Sequence, residues 1–154
     1  MPREGVSCSL CDPELGPLIT RSDHWLLVLN RNQNLLGKYI LVARRHVDSV
    51  GELTPQEWLE LHRQIRRATT LLVSVFYADH FNYAFLQNQD RHVHLHIIPR
   101  YAEPRQFAGE LFEDRDYPGH YAVPSPVRSL TDEQAAALAD ALRRKLTGFI
   151  SNAR

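Results

Sequence analysis

His92-Val93-His94-Leu95-His96-Ile97-Ile98 alternates imidazole and aliphatic side chains, which is the repeat of a β-strand and not of a helix. Successive strand residues point to opposite faces, so the stretch predicts His92, His94 and His96 on one face and Val93, Leu95 and Ile97 on the other. The aliphatic face can enter a core, leaving three imidazoles in a row along a sheet. One histidine on a strand is ordinarily a packed structural residue, whereas three on one face make a site. Two chemistries fit the pattern. His-x-His on a strand is a metal pair, as in hydrolytic zinc sites with three histidines and an open position. The outer two, however, stand about 13 Å apart at about 3.3 Å per residue, so a single ion would need both to lean inward. In the second chemistry His94 is a nucleophile, because neutral imidazole reacts near pH 7 and its neighbours can position it and protonate a leaving group.

Working outward, His24 to Asn30 is a compact apolar run and Tyr39 to Ala43 a second one, separated by the turn-rich stretch 32–37. They predict an antiparallel hairpin. Asn82 to Leu86 and Val93 to Pro99 predict two more strands joined by the tight polar connection 87–91. Thr54-Pro55-Gln56-Glu57 combines an N-cap, a first-turn proline and the glutamate of a capping box. Trp58, Leu61, Ile65, Ala68, Leu72 and Val75 then mark one buried helix face, with Arg63, Gln64, Arg66 and Arg67 outside it. A second capping box, Thr131 to Gln134, opens a C-terminal helix over 131–147 with Ala135, Leu138, Leu142 and Leu146 on one face. Residues 1–15 read as a loop carrying Cys8 and Cys11, and 102–129, rich in proline, as a long loop without regular structure. The expectation is an α+β fold: an antiparallel sheet of about five strands, one long packed helix and a C-terminal helix, in a single domain over 1–154 with its core at about 8–101.

The chain has 154 residues, enough for one core, and 18 basic against 18 acidic residues give zero formal net charge. That argues against a broad nucleic-acid footprint while permitting a small phosphate pocket. No apolar run is long enough to span a bilayer and no signal-peptide stretch is seen, so no membrane partner and a cytoplasmic location are expected. In a reducing compartment Cys8 and Cys11 are candidates for metal binding or redox chemistry before a structural disulfide.

The seven-residue histidine stretch resembles the signature of the histidine-triad superfamily. Leu29-Asn30-Arg31, Gly37 to Val42, Arg44-Arg45-His46 and Ile98-Pro99-Arg100-Tyr101 resemble further landmarks of that family in the right order, the last as in bacterial diadenosine tetraphosphate hydrolases. The resemblance covers roughly residues 8–101. It implies that His94 attacks the α-phosphate of a nucleotide to give a covalent nucleotidyl-histidine, and that His96 contacts the phosphate or protonates the leaving group. It implies that Asn30 meets the ribose and that Gln87 touches ribose or phosphate, with an apolar pocket wall expected from strand residues such as Val28. It further implies a zinc held by Cys8, Cys11, His46 and His92. Four protein ligands leave no open position, so that zinc would be structural.

The sequence departs from the family in two places. The loop before the triad lacks glycine, and Lys38 stands where a fourth histidine is usual, either as charge for a polyphosphate or as a surface lysine. The implied function is a nucleotide hydrolase or nucleotidyl transferase acting on dinucleoside polyphosphates or related adenylylated compounds. Alternatives are a phosphorylase of the same superfamily, a non-catalytic nucleotide-binding regulatory module, and a zinc hydrolase using all three triad histidines. Members of the family are often homodimers.

Overall fold

A computed structural model of the chain describes residues 8–11 and 15–152; the rest of the expected N-terminal loop, 1–7 and 12–14, lies outside them. Five strands, β1 (Leu18–Arg21), β2 (Trp25–Leu29), β3 (Tyr39–Ala43), β4 (His80–Ala84) and β5 (His94–Arg100), form one antiparallel sheet in the order β1-β2-β3-β5-β4. The fold is α+β, as expected. The hairpin of β2 and β3 pairs Leu29 with Tyr39 and Trp25 with Ala43. β1 was not legible as a strand: it is four residues long and only Ile19 is buried. Among the described residues no helix is long and apolar enough to cross a membrane.

Strand alternation divides the sheet into two unlike faces. Trp25, Leu27, Leu29, Tyr39, Leu41, Ala43, Leu95 and Ile97 join the main core. Helix α1 (Pro55–Phe76) closes that core with Leu61, Ala68, Leu71, Leu72 and Phe76, and helix α2 (Asp132–Ser151) with Leu138, Ala139, Leu142 and Leu146. On the opposite face Val28, Ile40 and Val42 make a small apolar cluster, and His94 and His96 stand beside it, opposite Val42 and Ile40 in the ladder. Gly37 fixes how β3 enters the sheet. Its φ is +87°, which strains any other residue, and a Cβ there would lie 2.3 Å from Leu72 Cδ2 of α1, so a substitution would also push the Leu72 side chain out of its place in the core.

Both helices begin on the capping boxes expected, Thr54 with Glu57 and Thr131 with Gln134, an arrangement in which each cap contributes about 1 kcal/mol. α2 runs four residues past the expected end. The buried face of α1 is rotated from the expected one: Gln64 is buried while Trp58 is exposed and meets Phe85 edge-on, with ring centroids 6.3 Å apart. Glu57 is buried as well, because it serves both as the capping-box acceptor and as the partner of Arg45.

The two strands around the triad are shifted from their expected bounds. β4 starts two residues early because Tyr77, in the left-handed conformation, ends α1 abruptly and lets His80 pair with Arg100. β5 begins at His94, so His92 is not on the strand. The Val93 N–H donates to the Val47 carbonyl and its carbonyl accepts from Ala43, which turns the backbone before the strand. The loop at 102–129 is more regular than expected: β6 (Arg105–Phe107) and β7 (Glu110–Phe112) form a hairpin across Ala108 and Gly109, both at positive φ.

Candidate functional site

Cys8, Cys11, His46 and His92 converge, their ligating atoms all within 4.8 Å of one another. The Cys8 and Cys11 sulfurs lie 3.3 and 3.4 Å from His92 Nδ1, and the Cys11 sulfur 3.3 Å from His46 Nδ1. In a tetrahedral centre with bonds of about 2.0–2.3 Å, ligand atoms sit about 3.3–3.8 Å apart, so the four residues fit a zinc ion. Their outer partners fit too. His92 Nε2 donates to the Ala43 carbonyl at 2.7 Å, and His46 Nε2 donates to Asp48 Oδ1 at 2.9 Å. Each ring therefore carries its proton on Nε2 and turns the Nδ1 lone pair to the cysteines, as a metal ligand must. Burial holds His92 below the ordinary histidine value, which favours that neutral form. Asp48 escaped the sequence reading, although a carboxylate two residues after a ligating histidine was the available signal.

His94 and His96 face away from that cluster into a cavity of about 700 Å³. The expected row of three imidazoles is thus divided: His92 belongs to the cysteine cluster, and the other two line the cavity with ring centroids 4.9 Å apart at 72°. His94 Nδ1 donates to the His92 carbonyl at 2.7 Å. A carbonyl only accepts, so Nδ1 bears the hydrogen and Nε2 keeps the lone pair. Burial first, then His94 and Lys38, push His96 down to about 4, leaving it neutral near pH 7. Lys38 is not a surface lysine: it is 6% exposed, donates to Asn34 Oδ1 at 2.7 Å, and is pushed down to about 8 by burial.

Asn30 and Gln87 line the same cavity as the two histidines. Asn30 Oδ1 accepts from the Asn32 N–H at 2.9 Å, and Gln87 Nε2 donates to the Asp48 carbonyl at 2.7 Å. Val28 is not a lining residue. It pairs with Ile40 in the ladder and is 2% exposed beneath the surface, so the apolar wall comes from Ile40, Leu10 and Leu15 instead. Ser9 and Leu10, between the two cysteines, also line the cavity, and Ser9 is tied to Asp90 by backbone N–H and hydroxyl at 3.1 and 2.7 Å. The cysteine loop therefore serves as cavity wall as well as candidate metal finger. Val123 and Pro124 reach the cavity from the long connection, with no motif to announce them.

No family model matches the chain. A 77-residue stretch is 31% identical to the asymmetrical bis(5'-nucleosyl)-tetraphosphatase of Schizosaccharomyces pombe, covering 47% of this chain and 42% of that protein. The chain thus matches about two fifths of the length of this curated relative. A zinc-bound histidine triad family protein from Mycobacterium smegmatis superposes with a TM-score of 0.68 at 18% identity, covering 95% of this chain and 97% of that one. A diadenosine triphosphate hydrolase of Plasmodium falciparum superposes with a TM-score of 0.64 at 16% identity, covering 86% and 77% respectively. The chain has the histidine-triad fold, and the stretch His92 to Ile98 straddles the start of β5 in it.

Proposed function

We propose that the chain is a histidine-triad nucleotide hydrolase or nucleotidyl transferase that cleaves dinucleoside polyphosphates or related adenylylated compounds at the α-phosphate. The observation that carries this reading is the His94 ring: its Nδ1 hydrogen is committed to the His92 carbonyl, and the ring lines a cavity shared with Asn30, Gln87 and His96. Nucleophilic attack needs an unprotonated nitrogen held in place, and Nε2 is that nitrogen. The match to the fission-yeast tetraphosphatase supports the substrate class.

In the proposed reaction His94 Nε2 forms a bond to the α-phosphorus as the bridging oxygen of the polyphosphate leaves with its electron pair. The ring becomes positively charged, and its Nδ1–H bond to the His92 carbonyl stabilises that charge. His96 is neutral before substrate binds; the incoming negative charge of the polyphosphate raises its proton affinity, so that it takes up a proton from solvent and, as the imidazolium, hands that proton to the leaving oxygen. Water then attacks the same phosphorus and passes a proton to His96, which is neutral again, while the P–N bond breaks with its electron pair returning to Nε2 and His94 is regenerated. Asn30 orients the ribose. Cys8, Cys11, His46 and His92 would hold one zinc with no ligand position left open, so the metal supplies rigidity and leaves the chemistry to His94 and His96.

Incubation with diadenosine tetraphosphate tests the reading. The expected products are adenosine monophosphate and adenosine triphosphate, with turnover reduced by several orders of magnitude in His94→Asn while nucleotide binding persists. Near-normal turnover in that variant, or tight nucleotide binding with no cleavage of any polyphosphate or phosphoramidate by the unaltered protein, would overturn it.

A further inference from the structure

The connection between β7 and α2 is fastened at two points and reaches the cavity between them. On one side Arg100, 2% exposed, donates to Asp114 at 2.7 and 3.2 Å and to the Gly119 carbonyl at 2.8 Å. Its guanidinium also lies 6.0 Å from the ring centres of both Tyr117 and Tyr121. On the other side Asn32 Nδ2 donates to Ser125 Oγ at 3.2 Å and to the Pro126 carbonyl at 2.9 Å, while its Oδ1 accepts from the Arg128 N–H at 2.9 Å. Val123 and Pro124 lie between these fastenings and line the cavity with His94 and Asn30. Val123 is 63% exposed, an apolar side chain presented at the cavity mouth by a segment held at both ends.

Asn32 is also the residue whose N–H holds the Asn30 amide oxygen. One side chain and its backbone thus link the segment that carries Val123 to the residue proposed to orient ribose. We propose that Val123 and Pro124 are specificity-determining residues that form the outer wall for the nucleobase whose ribose meets Asn30. This rests on the nucleotide reading above and extends it from the phosphate to the base. The apolar pair offers contact to a ring face without hydrogen-bond readout, so it distinguishes a nucleotide from a bare sugar phosphate more than one base from another.

Binding of adenosine monophosphate and of ribose 5-phosphate, measured by calorimetry on the unaltered protein, Val123→Asp and Val123→Leu, tests this. The unaltered protein should bind the nucleotide more tightly than the sugar phosphate. Val123→Asp should weaken the nucleotide by about tenfold or more and leave the sugar phosphate unchanged, and Val123→Leu should retain the preference. Because the side chain is exposed, both variants should melt as the unaltered protein does. Equal nucleotide affinity in Val123→Asp, or equal loss of both ligands, overturns the assignment of the wall while leaving the nucleotide reading in place. An unaltered protein that binds neither ligand overturns both.

Discussion

The Nδ1–H of His94 donates to the backbone carbonyl of His92 across 2.7 Å. The residue that supplies this carbonyl has its own ring fixed by the Ala43 carbonyl and set against Cys8 and Cys11. A single peptide carbonyl therefore joins the cysteine–histidine cluster to the imidazole proposed to attack phosphorus. The cluster can govern reactivity without touching substrate, by fixing which nitrogen of His94 is free and where it points.

One zinc per chain is expected, and Cys8→Ser should lose most of it. Loss of a closing ligand should cost a few kcal/mol, or about 5–10 °C in melting temperature at this chain length. Elemental analysis alongside thermal melting reads both effects. A folded, active preparation that contains no metal would contradict the assignment.

The fold was legible wherever local pattern and burial agree. Tyr39–Ala43 is buried at every position, and both capping boxes sit at the helix starts they announced. The site was legible as a set of residues but not as an arrangement. Strict alternation puts His92 beside His94, whereas the backbone bonds of Val93 to Ala43 and Val47 give His92 to the cysteines. Those bonds span more than forty residues of sequence and leave no local trace. Val28 was misplaced for a related reason: a strand residue next to a site can lie under its floor, and only the packing of Leu10 and Leu15 over the sheet decides which. Val123 and Pro124 were hidden because they depend on contacts that Arg100, at the end of β5, and Asn32, in the β2–β3 connection, make with distant parts of the chain.

Acid sensitivity should trace to His96. Its ordinary value of 6.5 is lowered to about 4 in the folded protein, so the unfolded chain takes up this proton first as pH falls. The contribution is whole above about pH 6.5 and is progressively lost toward pH 4, reaching about 2 kcal/mol of lost stability by about pH 5. Urea unfolding of the unaltered protein and His96→Asn at pH 7 and pH 5 measures it. The variant should lose about 2 kcal/mol less on acidification; an equal loss in both would show that His96 titrates normally.

Lys38 should trade stability for activity. With its ammonium pushed down to about 8 by burial, the charged form costs the folded state about 3 kcal/mol at neutral pH, offset by about 1 kcal/mol from the bond to Asn34. The unfolded chain binds the proton more tightly, so this cost is greatest below about pH 8 and disappears as pH rises toward 10.5. Lys38→Met should therefore melt higher at pH 7, by the equivalent of about 1–2 kcal/mol, with the advantage shrinking by pH 10. It should also cleave substrate more slowly, since the charge beside His96 is gone. A variant that melts lower at pH 7 with full activity would make Lys38 a structural residue.

The stereochemical course at the α-phosphorus tests the covalent step most directly. Substrate carrying a chiral α-phosphorothioate is cleaved in isotopically labelled water and the configuration of the monophosphate product is determined. Attack by His94 Nε2 followed by attack of water inverts the centre twice, so net retention is predicted. Net inversion would mean that water attacks directly, and would contradict His94 as the nucleophile.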